Sequence, residues 1–230
     1  MDQPKQRGRP KDEQLTARRC EEILDAAAKM FARRGYPSTD VQLVADELGI
    51  GKGTIYRYFP TKRELFLGAV DRGMRRLLEQ IHSVPADLDP LEQMAGAIRA
   101  YLSFYDANPE FVELLIQERA EFKDRAKPTY FEYRDAGGAR WRSLLEGLMA
   151  VGCIRRMPVQ RIMDVVGNLL YGTMFTNYFA GRQKSLEEQA QELLDIVFRG
   201  ILKSPADEAG RALPDAEADP GERAGAACDR

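Results

Sequence analysis

Histidine is nearly absent from this chain of 230 residues, with His82 alone, and Cys20, Cys153 and Cys228 are the only cysteines. Three thiols so widely separated make neither a ligand cluster nor a disulfide framework, so no metal site is expected. Free thiols in odd number fit a reducing, cytoplasmic setting. No apolar run approaches the roughly 20 residues that span a bilayer. The opening segment MDQPKQRGRPKDEQ has no apolar core, so neither a membrane span nor a secretory leader is expected. Catalytic signatures are missing too: neither HExxH nor GxSxG occurs, and no cofactor is implied. The glycine-rich stretch Gly49-Ile50-Gly51-Lys52-Gly53-Thr54 invites comparison with a phosphate loop. A Walker A lysine, however, is followed directly by Ser or Thr and comes after a buried strand. Here Gly53 follows Lys52, and the segment before it has a helical period.

What the chain does have is apolar content and an uneven charge. Hydrophobic residues make up 44% of it, enough for a sizeable core in one large domain or two modest ones. Residues 1–66 carry 13 Lys and Arg against 10 Asp and Glu, a net of +3, whereas residues 204–230 carry 3 against 7, a net of −4. A basic head and an acidic tail suit a protein that meets nucleic acid at one end.

The most informative stretch is TDVQLVADELGIGKGTIYRYFPTKRELF, from Thr39 to Phe66. Val41, Val44, Ala45 and Leu48 fall at i, i+3, i+4 and i+7, one apolar stripe of a short helix. Thr39, with Gln42 three residues on, reads as its capping box. Gly49 supplies the turn, since without a Cβ it takes positive φ at little cost. Ile55 and Phe59 anchor a second helix that Pro60 ends. Thr61 through Glu64 form a second capping box, which starts a third helix. Two short helices crossing closely at a glycine turn are a helix-turn-helix, whose second helix is offered to the DNA major groove.

Across roughly residues 18–70 the sequence resembles the TetR family of bacterial regulators. The resemblance rests on Gly35, Tyr36, Thr39, Val41, Ala45, Gly49, Lys52, Gly53, Tyr56, Tyr58, Phe59, Lys62 and Leu65 together. Gly51 departs from it, standing where the family usually places a capping serine; glycine serves there at a cost of about a few tenths of a kcal/mol. Thr54 sits at a variable family position, so the base sequence read is left open. The resemblance implies that Lys52, Gly53 and Thr54 face bases, and that Tyr56, Arg57, Tyr58 and Lys62 hold phosphates. These roles suit the residue types: lysine can donate to guanine, and the Thr54 methyl and hydroxyl can meet either base edge. Thr39 offers its hydroxyl and a helix N-terminus to a phosphate. Tyr56 and Tyr58, two apart, lie on different faces, so both cannot be core aromatics.

Residues 1–14 are expected to be a disordered basic arm. Within it Arg7-Gly8-Arg9-Pro10 resembles an AT-hook core, whose arginines (Arg7, Arg9) reach into a narrow minor groove. The DNA-binding domain is expected over 15–66, its first helix running from about Leu15 to Arg34. Residues 67–203 form an all-α body, with helices at 90–107, 109–124, 127–150, 159–181 and 185–203 and a break at Gly137-Gly138. The acidic stretch 204–230 is expected to be disordered. No strand-like alternation appears anywhere.

The resemblance further implies that the body encloses a ligand pocket and that its last two helices form a four-helix dimer interface. The 159–181 helix is apolar nearly all round, and such a helix must be covered on both sides. Met163, Val166, Leu170 and Met174, with Leu193, Ile196, Val197 and Ile201 on the last helix, are the expected dimer contacts. For a largely apolar small-molecule effector the candidates are Phe104, Phe111, Leu115, Glu118, Phe122, Trp141, Thr173 and Asn177, within a wider set of aromatics that includes Tyr101, Tyr105, Tyr130, Tyr133 and Phe175. Glu118 lies on an apolar stripe where a carboxylate needs a partner. It either forms a salt bridge in the neighbourhood of Arg119 or with Arg134, Arg140 or Arg142, or joins Thr173 and Asn177 in orienting a polar or cationic group of the effector. The expected whole is a homodimeric, ligand-responsive repressor of a palindromic double-stranded operator, with no membrane association. A ligand-independent activator or architectural protein, and more remotely an enzyme on a helical scaffold, remain open.

Overall fold

A computed structural model describes residues 9–201, with side chains from 13 to 197. Among these residues the chain forms ten helices and no strand: α1 (Arg9–Arg34), α2 (Val41–Glu47), α3 (Lys52–Tyr58), α4 (Lys62–His82), α5 (Pro90–Ala107), α6 (Pro109–Glu121), α7 (Thr129–Ala136), α8 (Ala139–Ala150), α9 (Val159–Ala180) and α10 (Leu186–Ile201). The boundaries follow local chemistry. Thr61 and Glu64 close the expected capping box at the start of α4. Pro90 and Pro109 open α5 and α6, where a missing amide hydrogen costs nothing. Gly49 makes its turn at φ +63°, and Gly137 and Gly138 separate α7 from α8.

Two expectations near the amino terminus are corrected. The first helix begins at Arg9 and not near Leu15, because Pro10 is compatible with a first helical turn. Residues 9–14 of the expected arm are therefore helical; its residues 1–8, with Arg7, and the expected acidic tail lie outside the described part, as do the side chains of Arg9 and Ile201. The cap of α2 is Asp40, whose carboxylate accepts from the Gln42 amide at 2.8 Å. Thr39 is 1% exposed, and its hydroxyl donates inward to the Gly35 carbonyl at 2.8 Å.

One apolar core runs from the helix-turn-helix into the body, so residue 66 is no packing boundary, and a second gathers Met94, Leu145, Leu148, Ile154, Ile162 and Val197. α4 starts beside α3 and continues into the body. α1 is bound to it by Arg72, which is nearly buried and forks onto Asp25 and Glu21. At the seam Phe31, Tyr36, Phe66 and Phe122 form an edge-to-face cluster with centroids 4.9–5.3 Å apart for the closest pairs, each such contact adding about 0.5–1.5 kcal/mol beyond area burial. Gly73 lets α6 come close: a Cβ there would collide with the Phe111 ring.

Candidate nucleic-acid interface and body cavity

Ile55 is fully buried and pins α3 to the core, a burial that stabilises by about 2 kcal/mol. With that side fixed, α3 turns Gly53, Tyr56 and Arg57 outward, with Lys52, Thr54 and Tyr58 half-exposed at the edges. Gly51 caps it in extended geometry without a side-chain bond; the Thr54 amide donates to the Gly51 carbonyl at 2.8 Å, and the amides of Lys52 and Gly53 before it have no acceptor within the helix. The cations here are held but accessible. The Lys52 ammonium contacts Asp40 at 2.6 Å and lies 5.9 Å from the Tyr56 ring centroid. The Gln42 amide and then Lys52 hold the Asp40 carboxyl below its usual range, and Asp40 in turn raises Lys52. Arg57 lies over the Tyr58 ring and reaches its hydroxyl at 3.3 Å. Lys62 donates to the Pro37 carbonyl at 3.1 Å and lies over Tyr36, its pKa lowered mainly by burial. Lys52, Gly53, Thr54, Tyr56, Arg57, Tyr58 and Lys62 thus sit on or beside one face. Thr39 does not join them, since its hydroxyl is used inside.

In the body, α4, α5, α7, α8 and α9 surround an apolar cavity of about 190 Å³. Met74, Leu77, Leu78 and Ile81 of α4 form one wall; Trp141, Ile162, Met163 and Val166 lie among the others. Its polar groups are few. The Tyr101 and Tyr130 hydroxyls are 3.0 Å apart, and Tyr101 donates onward to the Met174 sulfur at 3.7 Å. Burial raises both phenols, so they are neutral hydrogen-bonding groups at ordinary pH. Arg134 is the one charged lining residue among those described.

The amino-terminal region matches the family described as bacterial regulatory proteins, tetR family, over residues 23–69. The HTH-type transcriptional repressor KstR2 of Mycolicibacterium smegmatis is 27% identical, the alignment covering 84% of this chain and 95% of that protein. The probable acrEF/envCD operon repressor of Escherichia coli K12 is 24% identical, over 84% of this chain and 90% of the relative. A solved structure, the TetR-family regulator PfmR of Thermus thermophilus, has a TM-score of 0.63 at 24% identity, covering 77% of this chain and 97% of that one. The DNA-binding region of the chain is thus similar to that of the TetR family, and the fold is shared along the chain.

Within this TetR-family fold, most of the expected effector residues stand away from the cavity. Only Trp141 lines it. Phe104, Phe111 and Leu115 border a separate crevice too tight for a ligand, Leu115 also borders an open hollow of about 580 Å³ beside Arg119, Lys123 and Arg125, and Phe122 belongs to the seam cluster. Thr173 donates to the Leu169 carbonyl at 2.8 Å, and Asn177 is paired with Gln189 through two 2.8 Å bonds. Glu118 is 1% exposed. Its Oε1 accepts from the Thr129 amide at 3.0 Å and hydroxyl at 2.7 Å, with Arg125 at 3.4 Å. It is a structural carboxylate, and its arginine is Arg125 and not Arg134, Arg140 or Arg142. Of the wider aromatic set, Tyr101, Tyr130, Tyr133 and Trp141 do line the cavity.

The dimer candidates also divide. Met163, Val166 and Leu170 line the cavity and Met174 is buried beside Tyr101, so on α9 these four face inward. The outward stripe of α9 is Val165, Gly172 and Phe179, one every two turns, with Val165 54% and Phe179 70% exposed. On α10, Leu193 and Val197 pack within the chain while Ile196 is 63% exposed. Among the described residues no helix is long and apolar enough to cross a membrane.

Proposed function

We propose that this chain is a homodimeric repressor, acting in the cytoplasm, that binds a palindromic operator through α3 and releases it when a largely apolar small molecule fills the body cavity. One observation carries the reading. The helix that begins against the DNA-facing unit at Lys62 also supplies four cavity residues, Met74, Leu77, Leu78 and Ile81. A ligand that prefers one position of α4 therefore has a rigid element through which to change where α3 stands, and the coupling is reciprocal with DNA. The repressor names of the relatives support the same reading. The exposed apolar stripe of α9, with Ile196 of α10, supports a two-fold dimer, which sets two recognition helices against two half-sites.

The test is binding to the DNA immediately upstream of its own coding sequence, titrated in salt, for the wild type and Lys52→Ala. Losing a base contact costs about 1–3 kcal/mol of specific affinity, roughly 5- to 150-fold. Specific retention by the wild type and its loss in the variant support the proposal. Sequence-blind binding that is equal in both proteins refutes it.

A further inference from the structure

The body cavity is electrically one-sided as well as apolar. Arg134 is its only charged lining residue among those described, and no carboxylate lines it. The arginine is pre-positioned: its guanidinium lies over the Phe131 ring at 4.8 Å, and Gly167 of α9 is close enough that a Cβ there would touch its stem at 3.6 Å. Its ion pair with Asp135 is long, 3.6 Å, and Asp135 is held more closely by Lys127. Burial raises Tyr130 and Tyr171, and the positive field of Arg134 reaches inward to oppose that rise in both. Beside it the Tyr101–Tyr130 hydroxyl pair holds two oxygens within reach of one ligand group. Tyr133 is already committed, donating to Asp71.

We infer, resting on the effector role proposed above for this cavity, that the effector is an amphipathic carboxylic acid. Its single anionic head meets Arg134 and the Tyr101–Tyr130 pair, and its hydrocarbon body lies against α4 and Trp141. An arginine fork matches a carboxylate in two parallel bonds. A cationic head would be desolvated here with no carboxylate to meet it and with Arg134 opposing its charge. This reverses the polarity expected when Glu118 was a candidate ligand group. An apolar cavity of about 150 Å³ accommodates benzene, so one of about 190 Å³ suits a body of roughly eight carbon atoms.

Because Trp141 is the only tryptophan, its fluorescence reports occupancy of this cavity without further labelling. Full-length protein is titrated with octanoate, octan-1-ol and octylamine. Octanoate should shift Trp141 emission saturably, with a Kd at least tenfold below that of octanol, and octylamine should bind most weakly. Arg134→Gln should erase the octanoate preference while leaving the octanol Kd within about twofold. Arg134→Lys, which keeps the charge and loses the fork, should retain part of that preference and guards against misfolding of the first variant. Equal affinities for octanoate and octanol, an octanoate preference that survives Arg134→Gln, tighter binding of octylamine, or no saturable binding of octanoate each overturn the inference. Operator affinity is measured in parallel: selective octanoate binding that leaves it unchanged upholds the cavity's chemistry and overturns the regulatory reading instead.

Discussion

Replacing Glu118 by alanine tests how α6 is joined to α7. α7 starts at Thr129 after Pro128, which offers no side-chain cap. The cap comes from α6 instead, as the Glu118 carboxylate takes both the amide and the hydroxyl of Thr129. A hydrogen bond to a charged group contributes about 1.5–3 kcal/mol. Arg125 keeps its closer pair with Glu132 at 2.9 Å, so the loss rests on the two bonds to Thr129, together about 3–6 kcal/mol. Relief of the buried charge offsets part of this, so a net loss of about 3 kcal/mol is expected. For a chain of this size each kcal/mol moves the midpoint by about 2–4 °C, which gives about 6–12 °C in a circular-dichroism melt at fixed protein concentration. Glu118→Gln should lose less, keeping an acceptor for Thr129; its amide would stand where Oε2 now has no partner. Because Glu118 does not line the cavity, ligand-induced change in Trp141 fluorescence should survive in both variants. A fall below about 2 °C in Glu118→Ala, less than 1 kcal/mol, refutes the capping argument.

Two further outcomes test the electrostatics and the assembly. Burial and the bonds to Asp71 and Glu113 push Tyr133 and Tyr178 up to about 12. The folded state thus keeps protons that the unfolded chain gives up near pH 10, so this contribution is complete below about pH 10 and is lost as pH rises toward 12. Absorbance titration at 295 nm should show these among several late-ionising tyrosines, since burial also raises Tyr101, Tyr105 and Tyr130, and one late group should move earlier in Asp71→Asn; no late group, or no change in that variant, contradicts the assignment. Phe179→Asp should leave the fold intact, since the ring is already exposed, yet shift light-scattering mass from dimer toward monomer and weaken operator binding. An unchanged dimer places the interface elsewhere.

Much of the backbone was legible in the residues because its signals are local. Gly35 and Gly49 in positive φ, the Thr61–Glu64 box and the prolines at 60, 90 and 109 each act within one turn of chain. The failures have equally physical causes. Thr39 and Asp40 are adjacent residues of capping type, and only the direction of the preceding turn sends Thr39 into the core. Along α9 nearly every side chain is apolar, so periodicity offered no way to tell the face toward the cavity from the face left bare; Met163 and Val165 differ in role and not in type. Glu118 was rightly singled out as a carboxylate in need of a partner, but its partners, Thr129 and Arg125, are brought to it by the bend between α6 and α7. Arg134 was in view only as a counter-ion for Glu118, because helical spacing says nothing about which side chains meet in a cavity formed by five helices.

The contact between Lys52 and Asp40 makes DNA binding by this chain an exchange and not a simple addition. Lys52 already holds an anion, so a phosphate or a guanine must share its ammonium with Asp40 or displace it. Counterions condensed on DNA are released for each net positive charge delivered to it, and a lysine escorted by its own aspartate delivers less than one. The logarithmic slope of affinity against salt should therefore fall short of the number of cations on the face, and Asp40→Asn should steepen it while loosening the first turn of α2.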